Sequence, residues 1–163
     1  MSIFNAEEWA KSHFQHAKSG DIRRAERQRM TEPQNLERAV SILAFIGVRL
    51  LQLREVMTLA LYLRKKGLSD EATSIENQCC DSVLETDEWM VLLQHYKIKG
   101  HDGKTAPDMK WAYKSLAKLG GFTDSKRTGM ASWGTIWEGW DTLQAQVSGY
   151  RLAKEMLAAG KVL

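Results

Sequence analysis

Few side chains in this 163-residue chain are spaced for catalysis or metal binding. His13 and His16 lie three residues apart, but no cysteine or carboxylate completes a metal site beside them. Cys79 and Cys80 are neighbours, so a disulfide between them would be strained, and no second pair of cysteines exists to form a zinc site. We therefore predict no metal site, no disulfide scaffold and no cofactor.

Basic side chains are the more informative group. In the segment DIRRAERQRM, arginines outnumber acids, and they occupy positions 23, 24, 27 and 29. Guanidinium groups packed this closely suit contacts with phosphates. The alternative is that they pair with acids of the same chain, and the sequence leaves both interpretations open.

The charge is also unevenly distributed, although the net charge is only +3. Residues 64–92 carry seven acids and three bases, whereas residues 93–129 carry eight bases and three acids. Such an asymmetry indicates a polyanionic partner, and a solvated lysine-rich face is the equally acceptable alternative.

Length and composition are typical of a globular protein with one principal core, because 44% of residues are hydrophobic and 26% are charged. Glu7, Glu8 and Trp9 occupy positions where a secretory signal would be apolar. We therefore expect a cytoplasmic, nucleoid-associated protein.

The elements that must position these groups are helices, and the main one covers residues 31–66. Its polar side chains Arg38, Ser41, Arg49 and Gln52 fall in one arc, which predicts a helix buried on most of its circumference. Pro33 suits its first turn, and Gly67 suits its end. A membrane span is the competing interpretation, but the apolar run at residues 39–53 is too short and contains Arg49, so we predict no membrane partner.

Shorter amphipathic helices are predicted after Ser69, Thr86 and Asp108, and no segment alternates like a strand. The fold class is therefore all-α: an irregular helical domain with a long central buried helix and a long C-terminal dimerisation helix. A Gly- and Pro-containing linker at residues 100–108 separates two lobes. We predict an N-terminal DNA-binding remnant at 1–30, a helical lobe at 31–99 and a dimerisation lobe at 100–163.

The C-terminal helix after Ser132 has apolar residues at heptad spacing, which predicts a partner helix. A homodimer is expected through this stripe, and packing against the helix at residues 109–119 of the same chain is the competing account. The predicted dimerisation residues are Trp133, Ile136, Trp137, Trp140, Leu143, Val147 and Tyr150. Three glycines in this helix, at positions 134, 139 and 149, lower its helix propensity and indicate close approach of backbones.

Three segments carry a resemblance to a known family: ERQRMTEPQNLERAVSILAFIGVRLLQLRE, WAYKSLAKLGGFTDSKRTGMASWGTIWEGWDTLQ and AKEMLAAG. They closely resemble the C-terminal part of the Tn-five-like (IS-four family) bacterial cut-and-paste transposases. The segment EEWAKSHFQHAKSGDIRRA resembles the extreme N-terminus of the same family. The chain is thus similar to a transposase from which the middle has been deleted.

The resemblance implies that this protein is not an enzyme, because both aspartates of the family's Asp-Asp-Glu triad belong to the missing part and no residue here inherits the glutamate. It also implies contacts with transposon-end DNA by Arg23, Arg24, Arg27, Lys126 and Ser132. The family's C-terminal helices form the dimer, which coincides with the heptad stripe.

The resulting hypothesis is a transposase-derived, catalytically inactive protein that dimerises, also with full-length transposase, and thereby inhibits transposition. One alternative is a small stand-alone DNA-binding protein that recognises insertion-sequence ends. Another is a decayed remnant without a selected role.

Overall fold

The computed structural model describes residues 33–124 and 129–160, and within these ranges the protein is all-α, as predicted. Five α-helices are described: α1 (Pro33–Lys65), α2 (Ser69–Glu76), α3 (Thr86–His95), α4 (Met109–Leu119) and α5 (Trp133–Ala158). A short 3-10 helix, Cys80–Ser82, precedes α3. The chain divides into two compact units, Met1–Phe45 and Ile46–Leu163.

In the first unit, the described residues are the beginning of α1. Its large apolar side chains Val40, Ile42, Leu43 and Phe45 are 48 to 66% exposed. The prediction of a helix buried on most of its circumference is therefore wrong in this section. The sequence pattern correctly identifies a helix. Apolar side chains on all sides of a helix do not show, however, that other parts of the chain bury them.

In the second unit, α1 is buried along one stripe only. Leu50, Leu53, Met57 and Ala60 recur every three or four residues and are 0 to 7% exposed. The opposite side of the same helix remains in solvent, so the predicted extent of burial is wrong here too. The helix ends as predicted at Gly67, whose φ of 81° permits the final turn in which the Leu68 N–H donates to the Leu63 carbonyl.

One hydrophobic core fills the second unit, and α1, α3, α4 and α5 all contribute to it. α5 packs against both α3 and α4. The core contains side chains from both sides of the linker at residues 100–108, including Leu92 from α3 and Leu116 from α4. The structure divides the chain after Phe45, whereas the sequence analysis predicts boundaries after residues 30 and 99.

The linker itself is attached to the chain before α3. The N–H of Cys80 donates to the Pro107 carbonyl at 2.9 Å, and the N–H of Met109 donates to the Gln78 carbonyl at 2.8 Å. The Asp102 carboxylate accepts from the backbone N–H groups of Lys104 and Thr105, which lowers the pKa of that carboxyl. These bonds order a segment whose composition alone predicts only a loop.

Local capping sets the ends of the helices around the core. Asp108 caps α4 by accepting from the Trp111 N–H at 2.7 Å, as the sequence predicts. α3 begins differently from the prediction, because Glu85, and not Thr86, is its N-cap and forms a capping box with Glu88. α2 ends at Glu76, and α3 ends at His95.

Candidate interaction surfaces

The predicted DNA-contacting residues fall mostly outside the described residues. Arg23, Arg24, Arg27 and Lys126 lie there, as do His13 and His16. Ser132 is described, and its hydroxyl caps α5 by accepting from the Thr135 N–H at 3.2 Å. This side chain is exposed, but its hydroxyl oxygen already accepts a hydrogen bond from the first turn of α5.

The lysine-rich face of α4 is partly neutralised within the chain. Lys110 Nζ lies 2.8 Å from a carboxylate oxygen of Glu76, and Lys114 Nζ lies 2.8 Å from one of Asp124. The Lys114 ammonium group lowers the pKa of the Asp124 carboxyl. Two of the cations that the sequence offers to a polyanion therefore have acidic partners of their own, which weakens the electrostatic attraction expected from this helix.

The predicted dimerisation stripe lies inside the protein. Ile136, Trp140, Leu143 and Val147 are at most 2% exposed and belong to the hydrophobic core of the second unit. The other three predicted residues pack against that core and are partly buried; they are Trp133, Trp137 and Tyr150. A second copy cannot meet the four buried residues in the folded chain, so the stripe is not the self-contact that the heptad pattern predicts.

The reason lies in the helices that cover the stripe. α4, with 11 residues, is too short to cover the 26 residues of α5 alone. In the structure α3 packs on α5 as well, and α1 adds Leu50 and Leu53 to the same core. An apolar stripe shows that a helix is covered, but it does not show whether the cover comes from the same chain or from another.

A buried polar cluster connects the covering helices, and the sequence analysis did not identify it. Glu88 of α3 is 2% exposed and accepts from Arg49 of α1 and, at 2.7 Å, from the Gln144 side chain of α5. Arg49 Nε also donates to the Val83 carbonyl at 2.7 Å, and the guanidinium lies 4.7 Å from the ring centre of Trp140. These contacts tie α1, α3 and α5 together around one satisfied ion pair.

A second buried carboxylate joins α1, α2 and α4. Glu76 is 1% exposed and accepts from both terminal nitrogens of Arg64 and from Lys110. The Arg64 guanidinium is the main reason that the pKa of the Glu76 carboxyl falls to about 2. The only sequence signal for either cluster was a polar residue on an otherwise apolar helix, as at Arg49.

Cys79 and Cys80 are both free thiols. Cys79 is exposed, whereas Cys80 is buried, and burial raises the pKa of the Cys80 thiol to about 12. Among the described residues, no group of three or more His, Cys, Asp or Glu side chains is placed to hold a metal ion.

Three exposed apolar side chains, Val48, Leu59 and Tyr62, follow the solvent side of α1 in the second unit, with exposures of 45 to 56%. Two more lie near the end of α5, Leu152 and Leu157, at 59 and 71%. No helix in the described ranges is both long and apolar enough to cross a membrane. No model of a known protein family matches the chain.

Proposed function

We propose that the chain is a transposition-related protein without catalytic activity, which binds a full-length IS-four-family transposase and lowers its activity. The proposal comes from the four quoted segments, which resemble the two ends of that family but not its catalytic middle. The observation that carries it is the core of the second unit. Side chains from Leu50 to Val147 form one continuous buried cluster, so this part of the chain has the interior of a folded module.

A complete core is the feature that favours a working derivative over a decayed remnant. Both buried carboxylates, Glu76 and Glu88, have cationic partners. Breaking such a pair costs about 3 to 5 kcal/mol, so selection for a folded protein opposes its loss. A chain without a selected role would not be protected from losing these pairs. A module of this kind can fold without the rest of a transposase and compete for whatever the corresponding part of the full enzyme binds.

The burial of the heptad stripe restricts how such binding can occur. Trp140 and Val147 serve the core of this chain, so a transposase must be bound through the exposed surfaces described above. DNA binding by the basic segments of residues 23–29 and 126–127 is a separate proposal. Because Lys110 and Lys114 are paired with acids, α4 adds little positive charge to support those segments, and DNA binding is the weaker of the two proposals.

The test is an excision assay with a purified full-length transposase of this family, its end DNA and increasing amounts of this chain. Inhibition that is relieved by adding more enzyme supports binding to the transposase. Inhibition that is relieved only by adding more end DNA supports the DNA-binding alternative. The control is Leu50→Asp, which should not fold and should not inhibit. Unchanged excision at a large excess of the folded chain contradicts the proposal.

A further inference from the structure

The outer side of α1 in the second unit presents five residues at heptad spacing. Val48, Gln52, Glu55, Leu59 and Tyr62 are separated by four, three, four and three residues, and all five are exposed. On a helix this spacing brings them to one side, and that side is opposite the buried stripe of Leu50, Leu53 and Met57. The surface they form is here called the outer stripe.

The outer stripe is complementary to the same stripe of a second copy that runs antiparallel to it. If two copies pair antiparallel about a two-fold axis near residues 53 and 54, Val48 of each copy faces Leu59 of the other. The same axis places Gln52 of each copy opposite Glu55 of the other. Aliphatic groups then meet aliphatic groups, and an amide N–H donor meets a carboxylate acceptor, so no like charges are opposed. A parallel pairing would instead place Glu55 against Glu55.

We propose that the outer stripe is a self-association surface, on which a second copy of this chain binds antiparallel through the Gln52 and Glu55 pairs. This surface is distinct from the buried heptad stripe of α5, and the proposal does not depend on a role in transposition. The stripe covers about 15 residues, or about 21 Å of helix. Because such a contact lies at the low end of specific interfaces, the dimer should be weak, with a dissociation constant on the order of 10 to 100 µM.

The charge at residue 52 provides the first test, by sedimentation equilibrium over about 1 µM to 1 mM. Gln52→Lys places an ammonium group opposite Glu55 and should tighten the dimer about fivefold, whereas Gln52→Glu should weaken it about fivefold, since each pair occurs twice. Both variants keep a good helix former at an exposed site, so thermal melting should be almost unchanged. The control Leu157→Gln alters the other exposed apolar patch and should leave the dissociation constant as it is.

The second test fixes the orientation by disulfide crosslinking in a Cys79→Ser background. A mixture of the Gln52→Cys and Glu55→Cys proteins should crosslink faster than either protein alone. A wild-type monomer at 1 mM, equal effects of the two charges at residue 52, or faster crosslinking of each variant with itself would each overturn the proposal. A dimer that Leu157→Gln weakens and the residue 52 variants do not would place the contact on α5 and overturn it as well.

Discussion

Gly139 of α5 lies directly against the carbonyl oxygen of Leu116 in α4, and a Cβ atom at residue 139 would overlap that oxygen. The approach is reciprocal, because a Cβ atom on Gly120 would overlap the carbonyl oxygen of Thr135. The two helix backbones meet here without intervening side chains. Of the three glycines that the sequence marks in α5, Gly139 occupies such a close contact, whereas Gly149 has open space around it.

We therefore expect opposite effects from the same substitution at these two positions. Gly139→Ala should lower the free energy of unfolding by about 2 to 4 kcal/mol, because α4 and α5 must separate to admit the methyl group. Gly149→Ala should raise it by about 0.5 to 1 kcal/mol through helix propensity alone. Urea unfolding followed by circular dichroism measures both, and equal effects at the two sites would contradict the close contact.

The two ends of the apolar run in α1 should respond differently to a charge. Leu50 is completely buried, so Leu50→Asp should abolish cooperative unfolding or cost about 4 kcal/mol or more. Leu43 is 48% exposed, and Leu43→Asp should change the free energy of unfolding by less than about 1 kcal/mol. Thermal melting compares the two variants. If Leu43→Asp is as damaging as Leu50→Asp, then Leu43 is covered in solution.

The ion pair between Arg49 and Glu88 should matter far more than an exposed pair. Arg49→Met leaves the buried Glu88 carboxylate without its cation and should cost about 3 kcal/mol. Adding Glu88→Gln should recover part of this loss, because it removes the unpaired charge.

The matched control is Arg151→Met, which breaks exposed pairs with Glu85 and Asp87 and should cost less than about 1 kcal/mol. A double-mutant cycle in urea gives the coupling energy between Arg49 and Glu88. A coupling energy near zero would show that the cluster does not hold α1 against α3.

Lowering the pH should reduce the free energy of unfolding, because it protonates Glu76. Its carboxyl has a pKa of about 2 in the folded chain and an ordinary value of 4.5, so the folded state favours the ionised form. The stabilisation is complete above pH 4.5 and is lost as the pH falls from 4.5 towards 2. It amounts to at most about 3 kcal/mol.

Glu76→Gln provides the comparison, since Asp87 and Asp124, which also have lowered pKa values, are present in both proteins. The variant should be less stable at pH 7, and the difference from the wild type should shrink as the pH falls below 4.5. Unfolding in urea at a series of pH values measures this difference. A difference that stays constant down to pH 2.5 would exclude Glu76 as the responsible group.

The proposed lack of catalysis has a direct test. The purified chain should neither nick nor join an end-containing DNA duplex with magnesium or manganese, because the resemblance to IS-four-family transposases implies that their two catalytic aspartates are missing here. Gel analysis of labelled DNA, with a full-length transposase as the positive control, gives the answer. Metal-dependent cleavage that copurifies with this chain through several columns would contradict the assignment.

The sequence by itself determined which segments are helical and where several of them begin or end. Apolar spacing predicted α1, α4 and α5, and the caps Asp108 and Ser132 and the terminator Gly67 are where the sequence placed them. These features depend on interactions within a few residues along the chain, such as a side-chain oxygen that accepts from a nearby N–H. Interactions between residues that are close in the sequence are therefore enough to predict these helix ends.

Only the tertiary structure decided what each apolar surface contacts. The stripe containing Trp140 is covered by the chain's own helices, whereas Ile42 and Leu43, in an equally apolar run, are exposed. The partners of Arg49 and Glu76 also lie 12 to 39 residues away along the chain. Hydrophobic burial is non-directional and depends on area, so the sequence shows that a surface needs a cover and the three-dimensional arrangement of the helices supplies it.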